Sequence, residues 1–153
     1  MNASASTKFS VEREIFIAAS PETVFRFLIE PAFMAQWFGR EHTLDPRPGG
    51  LFRVEVSAGA IASGHYIEVV AHRRVAFTWG WEGRSDLPPG QSLVEIELVP
   101  QGRGTLVRLR HSGLPLAARP PFGPEGHAKQ WTHYLASLER QCAMTTMHAG
   151  RTS

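Results

Sequence analysis

The stretch Val75-Ala76-Phe77-Thr78-Trp79-Gly80-Trp81 puts Val75, Phe77, Trp79 and Trp81 on one side of an extended chain and Ala76, Thr78 and Gly80 on the other. Side chains alternate across a strand, so the segment reads as a β-strand with a heavily aromatic face. The alternation continues on both sides of it. Upstream, a Gly49-Gly50 turn or bulge opens Leu51 to Ser57, where Phe52, Val54 and Val56 alternate with Arg53 and Glu55. Ala62 to Ala71, with Tyr66, Ile67, Val69 and Val70, then runs into a turn at His72 to Arg74. Downstream, a loop from Gly83 to Gln91 containing Pro88-Pro89-Gly90 leads to Ser92 to Pro100. Gly102 to Gly104 turns the chain into Thr105 to His111, where Val107 and Leu109 alternate with Arg108 and Arg110. From His42 onward, six strand-like runs follow one another without a helix, the pattern of a meander.

The flanks complete the topology. Lys8 to Ala18 alternates Phe9, Val11, Ile15 and Ile17 with Ser10, Glu12 and Glu14, a half-buried strand. Ser20-Pro21-Glu22 has the chemistry of a helix start: an N-cap hydroxyl, a proline where no N–H is needed, and an acid at the positive end of the dipole. Val24, Phe27 and Leu28 form its buried stripe. Pro31 begins a second short helix in which Phe33 and Trp37 share a face before Gly39 ends it. His111 to Gly126 is too rich in Pro and Gly for a regular element and reads as a long loop. Beyond it, Trp131, Leu135, Leu138 and Cys142 line one face of a helix of about 18 residues.

The predicted order is therefore β-α-α-β6-α, an α+β domain over 8–145 with polar tails at 1–7 and 146–153. A curled antiparallel sheet of about seven strands has an apolar face wider than one helix covers. Such a sheet has to wrap around the long C-terminal helix, and the wrapping predicts a hollow between them.

Composition narrows the function classes. With 153 residues, 42% apolar and 20% charged, the chain suits one domain with a sizeable core. The net charge of +2 is small, and its sixteen Lys and Arg, nearly all Arg, form no run, which argues against nucleic acid as a partner. Cys142 is the single cysteine and Met1 to Ser10 lacks a basic-then-apolar leader pattern, so the expected location is cytoplasmic. No apolar run approaches the roughly 18 residues of a membrane span, so no membrane insertion is expected. His127 and His133 do not share a helical face, and Gly49-Gly50 leads into a strand instead of a helix, so neither a metal nor a nucleotide cofactor is predicted.

Several stretches together carry a family resemblance. They are Ala19-Ser20-Pro21-Glu22-Thr23-Val24-Phe25, Trp37, Gly49-Gly50-Leu51-Phe52, and Gly64-His65-Tyr66-Ile67-Glu68-Val69 followed by Arg74-Val75-Ala76-Phe77-Thr78-Trp79. Gly104-Thr105-Leu106-Val107, His111-Ser112-Gly113-Leu114 and the helix bearing Trp131 complete the set. In order and spacing the chain resembles the helix-grip fold of the START and Bet v 1-like superfamily (SRPBCC), and within it the branch named after the activator of Hsp90 ATPase. One departure is Gln130, which precedes the helix Trp where family members often have Gly. The resemblance implies a binder of hydrophobic small molecules, lipids included. It also leaves open the cyclase or hydrolase chemistry of some relatives and a chaperone-directed interaction module.

The residues read onto that fold give a candidate lining: Trp37, Phe52, Tyr66, Phe77, Trp79, Trp81, His111, Trp131 and Leu135. Aromatic walls with a few polar tips suit an amphipathic ligand, although the same rings suit a plain core. Trp81, next to a loop, is the one expected at a mouth, and of His65 and Tyr66 only one faces inward. Glu68 is expected on the side of Tyr66; Glu95 and Glu97 are expected as exposed partners of Arg residues. Arg53 is read as outward and Arg110 is left undecided. Cys142, on the buried stripe, reads as an inert core thiol. The preferred reading is a non-catalytic carrier or sensor of a small hydrophobic ligand, gated by the loops Gly83 to Gln91 and His111 to Gly126, with no catalytic residue assigned. A homodimer through a sheet edge or the loop rim is left open.

Overall fold

The computed structural model describes residues 8–115 and 124–151, with side chains described through Thr145. Strand β1 (Lys8–Ile17) is followed by helices α1 (Pro21–Ile29) and α2 (Pro31–Met34). Strands β2 (Glu41–Leu44), β3 (Leu51–Ser57), β4 (Ala60–Val70), β5 (Arg74–Trp81), β6 (Ser92–Gln101) and β7 (Gly104–Pro115) come next, and helix α3 (Pro124–Arg151) is last. The seven strands form one antiparallel sheet in the order β1-β7-β6-β5-β4-β3-β2, a meander whose last strand pairs with the first. This is the predicted helix-grip α+β fold. Among the described residues, no helix is long and apolar enough to cross a membrane.

Local sequence chemistry explains where the helices begin. The Ser20 hydroxyl accepts the Thr23 N–H at 3.2 Å, Pro21 occupies the first turn, and Val24, Phe25, Phe27 and Leu28 bury one face of α1. Helix α2 is shorter than predicted, a single turn, and it runs on into hydrogen-bonded turns in which the Phe38 N–H donates to the Met34 carbonyl at 2.8 Å. The Trp37 indole then donates to the Phe27 carbonyl at 2.8 Å, which anchors this turn to α1. In this turn Trp37 and Phe38 are both buried.

The sheet bends at register shifts between Phe9 and Val11, Glu55 and Ser57, and Tyr66 and Glu68. Bulges of this kind raise the local twist. The last one corrects the sequence reading of β4. Tyr66 is buried, but the shift turns Glu68 to the outer face, where it meets Arg74. His65 is exposed, so Tyr66 is the inward member of that pair.

Two further readings change at the ends of elements. Residues 146–151, expected as a tail, continue α3, because the helix runs for 28 residues. The long loop is shorter than expected, since β7 continues through Pro115 and α3 starts at Pro124; the remainder of that loop and the 1–7 tail lie outside the described residues. On α3 the predicted stripe of Trp131, Leu135, Leu138 and Cys142 is buried, and His127 extends it by one more turn. Arg13 of β1 donates to the Thr132 hydroxyl at 3.0 Å across the edge where α3 meets the sheet.

The outer face of the sheet carries cross-strand rows of opposite charge. Arg108 meets Glu14 at 2.8 Å and Glu97 at 3.9 Å; Arg110 meets Glu12 at 3.7 Å; Arg74 bridges Glu68 and Glu95. These pairs are substantially exposed, so each contributes at most about 1 kcal/mol. Arg53, outward as read, pairs with Glu82 through two contacts of 2.8 and 3.0 Å.

Gly80 sets how closely the segment after β5 can fold back. A Cβ there would stand 1.7 Å from the Pro88 carbonyl oxygen. That approach lets the Trp81 N–H donate to the Leu87 carbonyl at 2.8 Å and seats Leu87 in the core. Gly80→Ala is therefore expected to lift the segment off Trp81 and to cost about 1–3 kcal/mol, the usual range for overpacking. Chemical denaturation of the variant checks this, and unchanged stability would contradict the close approach.

Candidate functional site: an aromatic interior with a buried indole and imidazole cluster

The nine residues proposed as a lining, Trp37, Phe52, Tyr66, Phe77, Trp79, Trp81, His111, Trp131 and Leu135, are each buried in the core. The meander places four of them on β4 and β5 alone, because Tyr66 pairs with Phe77 and the period of two returns Trp79 and Trp81 to the same face. The interior is filled more completely than the sequence suggested. Phe52 and Phe77 stack with centroids 3.9 Å apart. Phe38, absent from the predicted set, lies beside Trp37, Trp131 and Trp79 at centroid separations of 5.2, 5.6 and 6.0 Å, with the edge of Tyr134 at 4.8 Å. The expected hollow was inferred from the helix mass alone. A ring supplied by the turn after α2 occupies that space. Trp81 is also not at a mouth, since the fold-back through Leu87 buries it to 2% exposure.

At one end of this interior, three indoles meet two imidazoles. The Trp131 indole N–H donates to His111 Nδ1 at 3.0 Å, and His111 Nε2 lies 2.8 Å from the Ser92 hydroxyl. The Ser92 hydroxyl donates to the Trp79 carbonyl at 2.7 Å. An indole is donor only, so Nδ1 of His111 carries no proton; Nε2 carries it and donates to Ser92. Trp79 and Trp81 both direct their indole N–H groups at His127 Nε2, at 3.3 and 3.1 Å. That nitrogen is therefore an acceptor as well, and the two imidazoles meet edge to face at 5.0 Å. These contacts are the polar link between α3, which supplies His127 and Trp131, and strands β5, β6 and β7.

His127 was missed in the sequence because it was weighed only as a metal ligand alongside His133. Its position four residues before Trp131 was the available signal, since that spacing puts it on the apolar stripe. Phe38 was missed because only Phe33 and Trp37 were read as the shared face of the second helix. Ser92, at the first position of a strand, carried no sequence signal.

The remaining groups divide clearly. Among the described residues the buried polar side chains are Ser63, Ser92, Thr105, His111 and His127, none of them a carboxylate. Glu95 and Glu97 face outward, as read, and Arg110, left undecided, also points outward to Glu12. Burial pushes the Cys142 thiol up to about 12, with Glu139 adding to the effect, which keeps it protonated and unreactive. An open cleft of about 550 Å³ lies on the charged outer face among Glu12, Glu14, Arg74, Glu95, Arg108 and Arg110. Its charges pair with one another, and it lies across the sheet from the rings. Tyr66 is the exception inside: its hydroxyl is buried with no hydrogen-bond partner among the described residues. An unmade hydrogen bond of this kind costs about 1–3 kcal/mol.

Acid should loosen the cluster. Burial holds His111 well below the usual imidazole range, and the neighbouring His127 lowers it further. In the unfolded chain the same imidazole takes up its proton near pH 6.5, so below that pH the unfolded state binds more protons. Stability is thus fully present above about pH 7 and falls as pH drops through about 6.5, by up to about 1.4 kcal/mol per pH unit. Thermal unfolding between about pH 7.5 and 5.5 checks this. A flat Tm across that window would contradict the neutral, acceptor role of His111.

The comparisons place this geometry in a known family. The sequence profile described as "Activator of Hsp90 ATPase homolog 1-like protein" matches residues 18–142. A solution structure of an AHSA1-like protein from Rhizobium etli is 43% identical, covering 89% of this chain and 82% of that one, with a TM-score of 0.69. A Mesorhizobium loti protein shares the fold at 23% identity, with 90% and 98% of the two chains covered and a TM-score of 0.76. So does the Aha1 dimer of Colwellia psychrerythraea, at 16% identity, 86% and 93% coverage and a TM-score of 0.73. Among curated proteins, none matches the sequence. With its profile matched from 18 to 142 and the helix-grip sheet closed over α3, the chain belongs to the activator of Hsp90 ATPase homologue 1-like family of the START and Bet v 1-like superfamily.

Proposed function

We propose that the protein binds a small, largely apolar or amphipathic molecule between the sheet and α3, as a carrier or sensor without chemistry of its own. The observation that carries this reading is the position of Phe38. The ring at the centre of the interior comes from neither a strand nor a regular helix but from the turn between α2 and β2, next to Gly39 at φ +77°. Only a short segment has to move for that ring to leave, and the walls it would uncover are the indoles of Trp37, Trp79 and Trp131. An aromatic ligand in its place would find the same stacking partners.

Two competing readings have less support. Catalysis by a buried acid or base calls for an inward carboxylate or an uncommitted imidazole. Here no described carboxylate is buried, and the His111 nitrogens are occupied by Trp131 and Ser92. A chaperone-directed interaction surface calls for a contiguous exposed apolar patch. The exposed large apolar side chains, Phe9, Phe16, Leu51, Ile67, Val70 and Met144, are distributed over β1, β3, β4 and α3.

Phe38→Ala tests the proposal. Loss of a buried ring is expected to cost about 3–5 kcal/mol and to leave a space with aromatic walls. Naphthalene should then stabilise the variant more than the wild type, by about 2.7 kcal/mol when present at a hundred times its dissociation constant. In the wild type, a thermal-shift panel of polycyclic aromatics, flavonoids and fatty acids should contain stabilising members. Silence from both proteins across that panel would remove the small-molecule reading.

A further inference from the structure

The polar tips of the interior rings are nearly all committed to the protein. The Trp37 indole donates to Phe27, those of Trp79 and Trp81 to His127, and that of Trp131 to His111. Tyr66 differs. Its residue has no solvent exposure, its ring packs edge-on against Phe52 and Phe77 at 5.8 and 6.0 Å, and its hydroxyl has no hydrogen-bond partner among the described residues. The ring is also held firmly in place. The Tyr66 N–H donates to the Gly50 carbonyl and its carbonyl accepts from the Gly49 N–H, both at 2.8 Å, so the backbone carrying the ring is clamped by the turn before β3. Gly50 permits that turn, because a Cβ there would lie 1.9 Å from the Asp45 carbonyl oxygen. A donor that is fixed, buried and unpartnered is preorganised for an acceptor that arrives from outside.

Resting on the ligand-binding reading above, we propose that Tyr66 is a specificity-determining residue, whose hydroxyl donates to a neutral acceptor, a ketone, quinone or lactone carbonyl, on an otherwise aromatic ligand. Burial raises the hydroxyl well above the usual phenol range, so it stays protonated and acts as a donor. Among the described residues no cationic side chain lies within hydrogen-bond reach of the hydroxyl, and the Asp45 carboxylate adds to the upward push on Tyr66. A carboxylate ligand would lose its hydration there without gaining a cation. A carbonyl carries no net charge and fills the one vacant bond. A hydrocarbon of the same shape would leave the hydroxyl unpaired.

The test compares 2-acetylnaphthalene, 2-ethylnaphthalene and 2-naphthoate by calorimetric titration of the wild type and of Tyr66→Phe. The wild type should bind the ketone about tenfold more tightly than the hydrocarbon, equivalent to about 1.4 kcal/mol, and should bind the carboxylate most weakly. Tyr66→Phe should bind ketone and hydrocarbon equally while keeping or raising the wild-type Tm, because the hydroxyl it removes makes no bond in the resting protein. Equal binding of ketone and hydrocarbon by the wild type would overturn this inference and leave ligand binding intact. A preference for 2-naphthoate would overturn the charge argument and the inference with it. A Tm drop in Tyr66→Phe would show that the hydroxyl already has a partner, which also overturns it. Failure of all three compounds to bind either protein would overturn both this inference and the binding reading beneath it.

Discussion

The contact on which the interior depends is the pairing of indole N–H groups with imidazole nitrogens. Trp79, Trp81 and Trp131 bring large apolar surfaces into the core, but each also brings a donor that must be satisfied away from water. His111 and His127 supply the acceptors, at 3.0–3.3 Å, and Ser92 takes the remaining proton of His111. Because the acceptors are split between β7 and α3, satisfying the donors also joins the helix to the sheet. An apolar core alone would leave the rotation and depth of α3 to shape complementarity, whereas donors facing acceptors at hydrogen-bond distance specify both.

That attachment explains the uneven character of the interior. Around the cluster, rings and polar atoms are mutually satisfied. Away from it, the Phe52 and Phe77 stack and the Tyr66 ring form a second aromatic region in which a hydroxyl has no partner. Phe38, supplied by a turn, stacks against Trp79 and Trp131 of the cluster. The strongly paired region ties α3 to the sheet, and the unmet hydroxyl lies in the other. The charged rows on the opposite face of the sheet use ordinary cross-strand pairing and leave little unmet demand.

Much of this was legible in the chain. Period-two alternation around Trp79 identified the strands, Ser20-Pro21-Glu22 marked the first helix, and the stripe from Trp131 to Cys142 marked the last. Strand alternation pointed to Phe52, Tyr66, Phe77, Trp79, Trp81 and His111 and the helical stripe to Trp131 and Leu135, and with Trp37 all nine candidates are buried. Legibility failed where a residue's environment is set by distant chain. The shift between Tyr66 and Glu68 reverses the side on which a carboxylate stands, and no local pattern announces it. The burial of Trp81 depends on Leu87 folding back over Gly80, a contact between a strand and a loop that reads as polar and exposed.

The amino-acid sequence by itself determined the element order, the sheet's antiparallel succession and the aromatic character of its inner face, because these depend on side-chain period and local turn chemistry. Only the tertiary structure decided which polar groups share a bond and which ring fills the centre. His127 becomes an acceptor for two indoles because α3 lies at one particular depth, and Phe38 becomes a plug because the helix before it stops after a single turn. Hydrogen bonds form over about 3 Å, a distance that residues far apart in sequence reach only once the whole sheet has closed over the helix.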